Sequence, residues 1–101
     1  MPLTDNPNEQ RVYNFLITTA GFNVAVACGI MANIYFESKF STEAVGDGGT
    51  SIGLCQWHAS RATNLKNYCS SKGMNYLSVE GQMSFFLHEL TTISSYKVVL
   101  D

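Results

Sequence analysis

Glu37 closes the longest apolar stretch of the chain, residues 24–36, and has Tyr35, Phe36 and Phe40 as neighbours. Apolar surroundings disfavour the charged form of a carboxylate. The negative end of a helix dipole disfavours it further. Both effects raise a carboxyl pKa, which a general acid working near neutrality requires. Asn33, one helical turn earlier, is placed to hydrogen-bond the Glu37 side chain. An acid at a helix C-terminus is locally unfavourable, so a catalytic reading weighs evenly against that of an exposed Glu past a helix end. Glycoside hydrolysis commonly uses two carboxyl groups, one as acid and one as base or nucleophile. Glu43 and Asp47 follow in a turn-rich segment, and a hairpin folded over the helix end brings Asp47 towards Glu37. The competing reading, that the side chain only shapes the turn through nearby backbone N–H groups, is slightly favoured for Asp47 and clearly favoured for Glu43.

The run Cys55-Gln56-Trp57-His58 offers two other chemistries. Cys55 with His58 or His88 as base would make a cysteine peptidase acting on a peptide or amide. A nucleophilic Cys usually sits at a helix N-terminus, however, and Cys55, after Gly53-Leu54, reads as core. Cys55 and His58 with Cys69 and Cys28 supply four possible metal ligands, but Cys28 falls mid-helix and no second tight pair exists. No metal is therefore assigned. Trp57, Tyr35, Tyr68 and Tyr76 have ring faces suited to sugars, while Phe15, Phe85 and Phe86 include core members.

The elements that must position these residues are mostly helical. Asn6-Pro7-Asn8-Glu9 is a helix start, with an Asn cap, Pro at the first position and Glu three residues past the cap. Val12, Phe15, Leu16 and Thr19 share a face, and Gly21 ends that helix. Asn23 caps a second helix whose body, 24–36, is apolar nearly all round and so predicts a central buried helix. Gly46-Asp47-Gly48-Gly49 marks a hairpin turn, and residues 50–57 supply a short strand. A third helix, about 60–72, places Ala62, Leu65 and Cys69 on one face, and Gly73 closes it. Ser78 caps a fourth, with Val79, Met83, Phe86, Leu87 and Leu90 at helical spacing. Ser94 or Ser95 opens a last turn running into Asp101.

A length of 101 residues fits one domain. The hydrophobic fraction of 46% excludes an intrinsically disordered chain. Only 14% of residues are charged, against about 25% in an average domain. Uncharged hydrogen-bonding residues take their place: 10 Ser, 8 Thr and 8 Asn. With a net charge of −2 and six Lys and Arg, no nucleic-acid partner is expected. A neutral, aromatic-bearing surface suits a glycan better. No segment reaches the roughly 18 apolar residues of a transmembrane helix, so no membrane partner is expected. The polar start lacks the features of a signal peptide, so another agent must deliver the domain to any extracellular target. Three cysteines do not read as a secreted disulfide framework.

Glu37-Ser38-Lys39-Phe40, followed by Ala44-Val45-Gly46-Asp47-Gly48-Gly49-Thr50-Ser51-Ile52-Gly53-Leu54-Cys55-Gln56-Trp57, resembles the phage tail lysozyme family. Such peptidoglycan-cutting domains occur in phage tail-tip proteins, endolysins and mobile-element wall hydrolases. They are similar to goose-type lysozymes and soluble lytic transglycosylases, where a Glu-Ser pair closes a buried helix and a Gly-Leu-x-Gln segment follows. Asn8-Glu9-Gln10, Gly29-Ile30-Met31, Asn64-Leu65-Lys66, Glu80-Gly81-Gln82, Phe85-Phe86 and Glu89-Leu90 extend the likeness over about residues 8–100.

The resemblance implies a mainly α (α+β) fold, lysozyme-like, with a small Gly-rich β-hairpin after the helix that carries the catalytic Glu. It implies Glu37 as catalytic acid and makes Asp47 the best match for a second carboxylate. Gln56 and the Gly53-Leu54 backbone would line the cleft, and Ser51 and Thr50 would bind sugar or water. Trp57, Tyr35 and His58 complete the expected substrate-binding set. The substrate would be the peptidoglycan glycan strand at the bacterial cell wall, cut by a lysozyme or a lytic transglycosylase without metal or organic cofactor. A non-catalytic glycan-binding module and a Cys55/His peptidase are the alternatives. Domains of that family continue past the point matching Asp101, so residues 1–101 are expected to be a single catalytic domain, C-terminally truncated or joined to other modules of a larger phage or wall protein.

Overall fold

The computed structural model describes residues 3–92. Asn6 starts the first helix, its side-chain oxygen accepting the Asn8 N–H at 2.9 Å. Glu9 does not reach back to Asn6 in a capping box. Its carboxylate accepts the Leu3 and Thr4 N–H groups, each at 2.7 Å, and so folds the leading segment over the helix start. α1 (Asn8–Asn14) runs into a π-helical turn, Phe15–Thr19, closed by the Ala20 N–H on the Phe15 carbonyl at 2.9 Å. The extra residue per turn was not legible as a break in spacing. It leaves Val12 and Leu16 buried and Thr19 exposed. Gly21, at φ +77°, ends the run.

α2 (Val24–Ser38) is capped by Asn23, which accepts the Val26 N–H at 2.9 Å. It stops at Lys39, in the left-handed region at φ +51°, whose N–H returns to the Tyr35 carbonyl. The apolar composition predicts a helix enclosed on all sides, and here the structure differs. Only Ala27, Met31 and Ile34, spaced i, i+4, i+7, are buried, on the side facing α1 and the π turn. Val24, Val26 and Phe36 are exposed. Composition states how apolar a helix is, not how many neighbours reach it, and the far side of α2 walls an open cleft.

The expected hairpin is a three-stranded antiparallel sheet of two-residue strands: β1 (Val45–Gly46), β2 (Ser51–Ile52) and β3 (Trp57–His58), with β2 central. Val45 pairs with Ile52, and Ile52 with Trp57. The Asp47–Gly49 turn is a 3₁₀ turn in which Gly48 adopts φ +68°. α3 (Ser60–Lys72) buries Ala62, Leu65 and Cys69 and ends at left-handed Gly73, as the spacing predicts. α4 (Val79–Thr92) is capped by Ser78, whose hydroxyl oxygen accepts the Gly81 N–H at 2.9 Å. Its inward face differs from the predicted one. Met83 is buried, but its companions are Gln82, Phe85 and Glu89, while Val79, Phe86, Leu87 and Leu90 are half-buried. The last turn expected at Ser94 or Ser95 lies outside the described residues.

The two polar residues on that face are fully engaged. Gln82 accepts the Leu54 N–H at 2.9 Å and donates to the carbonyls of Thr42 (2.9 Å) and Tyr76 (2.8 Å). Glu89 accepts the Trp57 indole N–H at 2.8 Å and a two-pronged grip from Arg61 at 2.7 and 3.0 Å. A buried polar group costs stability unless it is hydrogen-bonded, and these satisfy that condition. Val12, Leu16, Met31, Ile34, Phe40, Leu54, Trp57, Leu65 and Met83 form the core between the helices and the sheet. No helix among the described residues is long and apolar enough to cross a membrane.

Candidate functional site

Glu37 occupies the last turn of α2, one residue before its end. The next residue fixes that end in place. The Ser38 hydroxyl donates to the Leu54 carbonyl at 2.8 Å and lies 3.2 Å from the Ile34 carbonyl, tying the helix terminus to the segment between β2 and β3. Phe40, fully buried, anchors the chain just beyond, and the Asn6 and Asn8 side chains both donate to its carbonyl at 3.0 Å. The sheet segment is held less by its short strands than by carboxamides. Gln56 donates to the carbonyls of Ala44 (3.1 Å) and Gly53 (3.0 Å). A Cβ on Gly46 would collide with the Gln56 side-chain oxygen, and one on Gly53 would stand 2.7 Å from that of Gln82. Among the described residues, the five non-glycine residues with positive φ all fall in this region: Lys39, Phe40, Asp47, Gln56 and Ala59. Such conformations persist only where the surroundings impose them, and they cluster at functional sites.

Glu37 is exposed and opens into a cleft of about 640 Å³. One wall is α2, through Val26, Gly29, Ile30, Asn33 and Ile34. The other is Phe86 and Leu90 of α4, with Cys55, Arg61 and Phe22 completing the lining. The lining is mostly apolar, and Glu37, Asn33 and Arg61 supply its polar side chains. The expected Asn33–Glu37 hydrogen bond is not formed. The Glu37 carboxyl is in contact with solvent, not enclosed by Tyr35, Phe36 and Phe40.

The remaining expected residues gather elsewhere or serve the frame. Asp47, exposed in the 3₁₀ turn, accepts the Ser51 hydroxyl and lies 3.6 Å from His58 Nδ1. Ser51 and Thr50 lie 3.0 and 3.2 Å from the same nitrogen, and the Thr50 hydroxyl also donates to the Asp47 carbonyl. None of these four lines the Glu37 cleft. Ser51 is fully buried and presents nothing to a sugar. Trp57 must also be corrected as a stacking surface: it is fully buried in the core, against Phe85 and hydrogen-bonded to Glu89. Gln56 is spent on backbone carbonyls, and Tyr35 packs half-buried against the core with its ring edge-on to Phe36. Glu43 is exposed.

Sequence reasoning missed Gln82, Glu89 and Arg61. On α4 the available signal was a carboxamide and a carboxylate at 82 and 89, spaced i, i+7 and so on the same side of the helix as Phe85.

Cys55 shares the cleft with Glu37. Burial pushes its thiol up to about 12, with the Glu89 carboxylate adding to the effect, Arg61 opposing it and Glu37 adding a smaller part. A thiolate forms only as pH rises towards that value, so at neutral pH the thiol stays protonated. Iodoacetamide near neutral pH is expected to label exposed Cys28 and leave Cys55 intact, as read by peptide mass spectrometry of the native protein. Rapid native labelling of Cys55 would contradict this. Among the described residues, no three His, Cys, Asp or Glu side chains converge to hold a metal ion, so Cys55, His58, Cys69 and Cys28 do not form a ligand set.

The sequence profile described as phage tail lysozyme matches residues 7–101. No curated protein matches the chain.

Proposed function

The chain belongs to the phage tail lysozyme family, peptidoglycan-lytic domains that act on the bacterial cell wall, and from that premise we propose that it cuts the β-1,4 bond between N-acetylmuramic acid and N-acetylglucosamine with Glu37 as general acid. The observation that carries this reading is an exposed carboxyl at the end of α2, opening into a largely apolar cleft, with the following serine bound to the opposing segment. Glu37 donates its proton to the leaving glycosidic oxygen as the bond to the muramic C1 breaks, and the positive charge developing on that sugar is quenched by an oxygen nucleophile. Asp47 is engaged by Ser51 and lies near His58, outside the lining of the Glu37 cleft. That arrangement favours a turn-shaping role for Asp47 and leaves the attack to water bound on the substrate or to the muramic 6-hydroxyl. A Cys55 peptidase is disfavoured by its protonated, desolvated thiol.

Mass spectrometry of digested peptidoglycan tests the reading. Reducing muramic ends are expected if water attacks, and 1,6-anhydro ends if the 6-hydroxyl does. Products opened only at stem-peptide or amide bonds, or no products at all, would overturn it.

A further inference from the structure

We propose that Gly29, Asn33 and Phe36, on the exposed side of α2, form a subsite for one N-acetylated disaccharide unit of the glycan entering the Glu37 cleft; this rests on the glycan-cleaving role assigned to that cleft. The three residues are spaced i, i+4, i+7 and so make one stripe of the helix. The stripe covers about 10 Å along the axis, the scale of two linked pyranose rings. Gly29 and Asn33 line the Glu37 cleft itself.

Gly29 is the informative position. Glycine is among the poorest helix formers, and it sits here mid-helix. Packing does not demand it: a Cβ at Gly29 would meet nothing within 4 Å. Its φ is ordinary, so no turn demands it either. What the missing side chain provides is open space in the cleft wall, where a sugar ring can lie against the helix backbone.

Phe36, one turn beyond Asn33, is 85% exposed. Its ring meets that of Tyr35 in a T-shaped contact, with centroids 6.1 Å apart. Phe36 is not part of the cleft lining, but an exposed aromatic ring one residue before the proposed acid, on the stripe that continues from Gly29 and Asn33, is a platform for the C–H face of a pyranose. Between the two, the Asn33 carboxamide has both a donor and an acceptor, matching an acetamido group. Trp57, one of the four aromatic residues expected to stack on sugars, is buried, and Phe36 takes its place.

The test compares Gly29→Leu, Phe36→Ala and Phe36→Trp with the wild type by thermal unfolding and by KM and kcat on a soluble glycan fragment of alternating amino sugars. Binding of the same fragment is measured in the Glu37→Gln background, where no cutting intervenes. Gly29→Leu is expected to hold or raise the unfolding midpoint while weakening binding about tenfold or more. Phe36→Ala is expected to weaken binding about tenfold at an unchanged midpoint, and Phe36→Trp to restore it. Unaltered binding in both Gly29→Leu and Phe36→Ala, or a loss that tracks unfolding, would overturn the proposal. So would a concentration-dependent dimer abolished by Phe36→Ala, which would reassign the stripe to self-association. Failure of the catalytic reading is distinguishable, because Glu37→Gln would then still cut the fragment whatever the stripe variants bind.

Discussion

Glu37→Gln is expected to keep the fold and lose peptidoglycan cleavage by about three orders of magnitude, within the range that a positioned general acid supplies. The amide has the shape of the acid and no transferable proton. The side chain is exposed, and no core packing depends on it, so the unfolding midpoint should stay within experimental error of the wild type. Turbidity clearing of purified sacculi, paired with a denaturation curve for each variant, separates lost chemistry from lost structure. Asp47→Asn is the informative companion. Its carboxylate and His58 are both largely exposed, and such a pair contributes at most about 1 kcal/mol. The amide retains an oxygen for the Ser51 hydroxyl. A small loss that follows stability is therefore expected. A loss as deep as that of Glu37→Gln would make Asp47 the general base of an inverting reaction.

The second large effect is on stability. Gln82→Leu preserves the apolar character of the inward α4 face but strands the Leu54 N–H and the carbonyls of Thr42 and Tyr76, all bound to the carboxamide in the native protein. A buried group left without its partner costs roughly 1–3 kcal/mol. With some rescue by water, the expected loss is about 3–5 kcal/mol, a large share of the roughly 5–15 kcal/mol that holds a domain folded. Denaturant titration reads this directly. Leu54 also accepts the Ser38 hydroxyl, so the α2 terminus should loosen before the molecule unfolds, and turnover of the folded variant should fall as well. A midpoint near the wild-type value would mean that the sheet segment is held by something other than Gln82.

What was legible in the sequence is what local rules control. Asn23, Ser78 and Gly73 announce helix ends through capping and left-handed closure, and Gly46 to Gly49 announce a turn; each stands where those rules put it. The placement of Glu37 at a helix terminus is likewise local. The relations between elements are not encoded that way. Residues 24–36 announce an apolar helix without announcing which side stays open. Trp57 announces a large aromatic ring, and its burial depends on Glu89, 32 residues away, accepting the indole N–H. Gln82 and Glu89 break the apolar period of α4, and a period-based reading turns such residues outward. Each instead answers a backbone amide or a cation brought in by another element. The third strand was missed because a two-residue strand carries too little alternation to register.

The two glycine–glutamine contacts restrict how this sequence can vary. Gly46 lies against the Gln56 side chain and Gly53 against that of Gln82, each too close for an added methyl group. Each glutamine in turn holds backbone: Gln56 the carbonyls of Ala44 and Gly53, and Gln82 the Leu54 N–H and the carbonyls of Thr42 and Tyr76. The Gly53–Gln82 pair is the tighter constraint, and neither of its members can change first without harm: a side chain at Gly53, already at φ +81°, displaces the carboxamide, and a shorter residue at position 82 abandons Leu54. Drift at these positions must therefore be concerted, with paired replacements crossing a valley of poorly folded single mutants. The loop beside Glu37, despite its small residues and surface location, should be among the slowest-evolving parts of the chain for reasons of packing, quite apart from any contact with substrate.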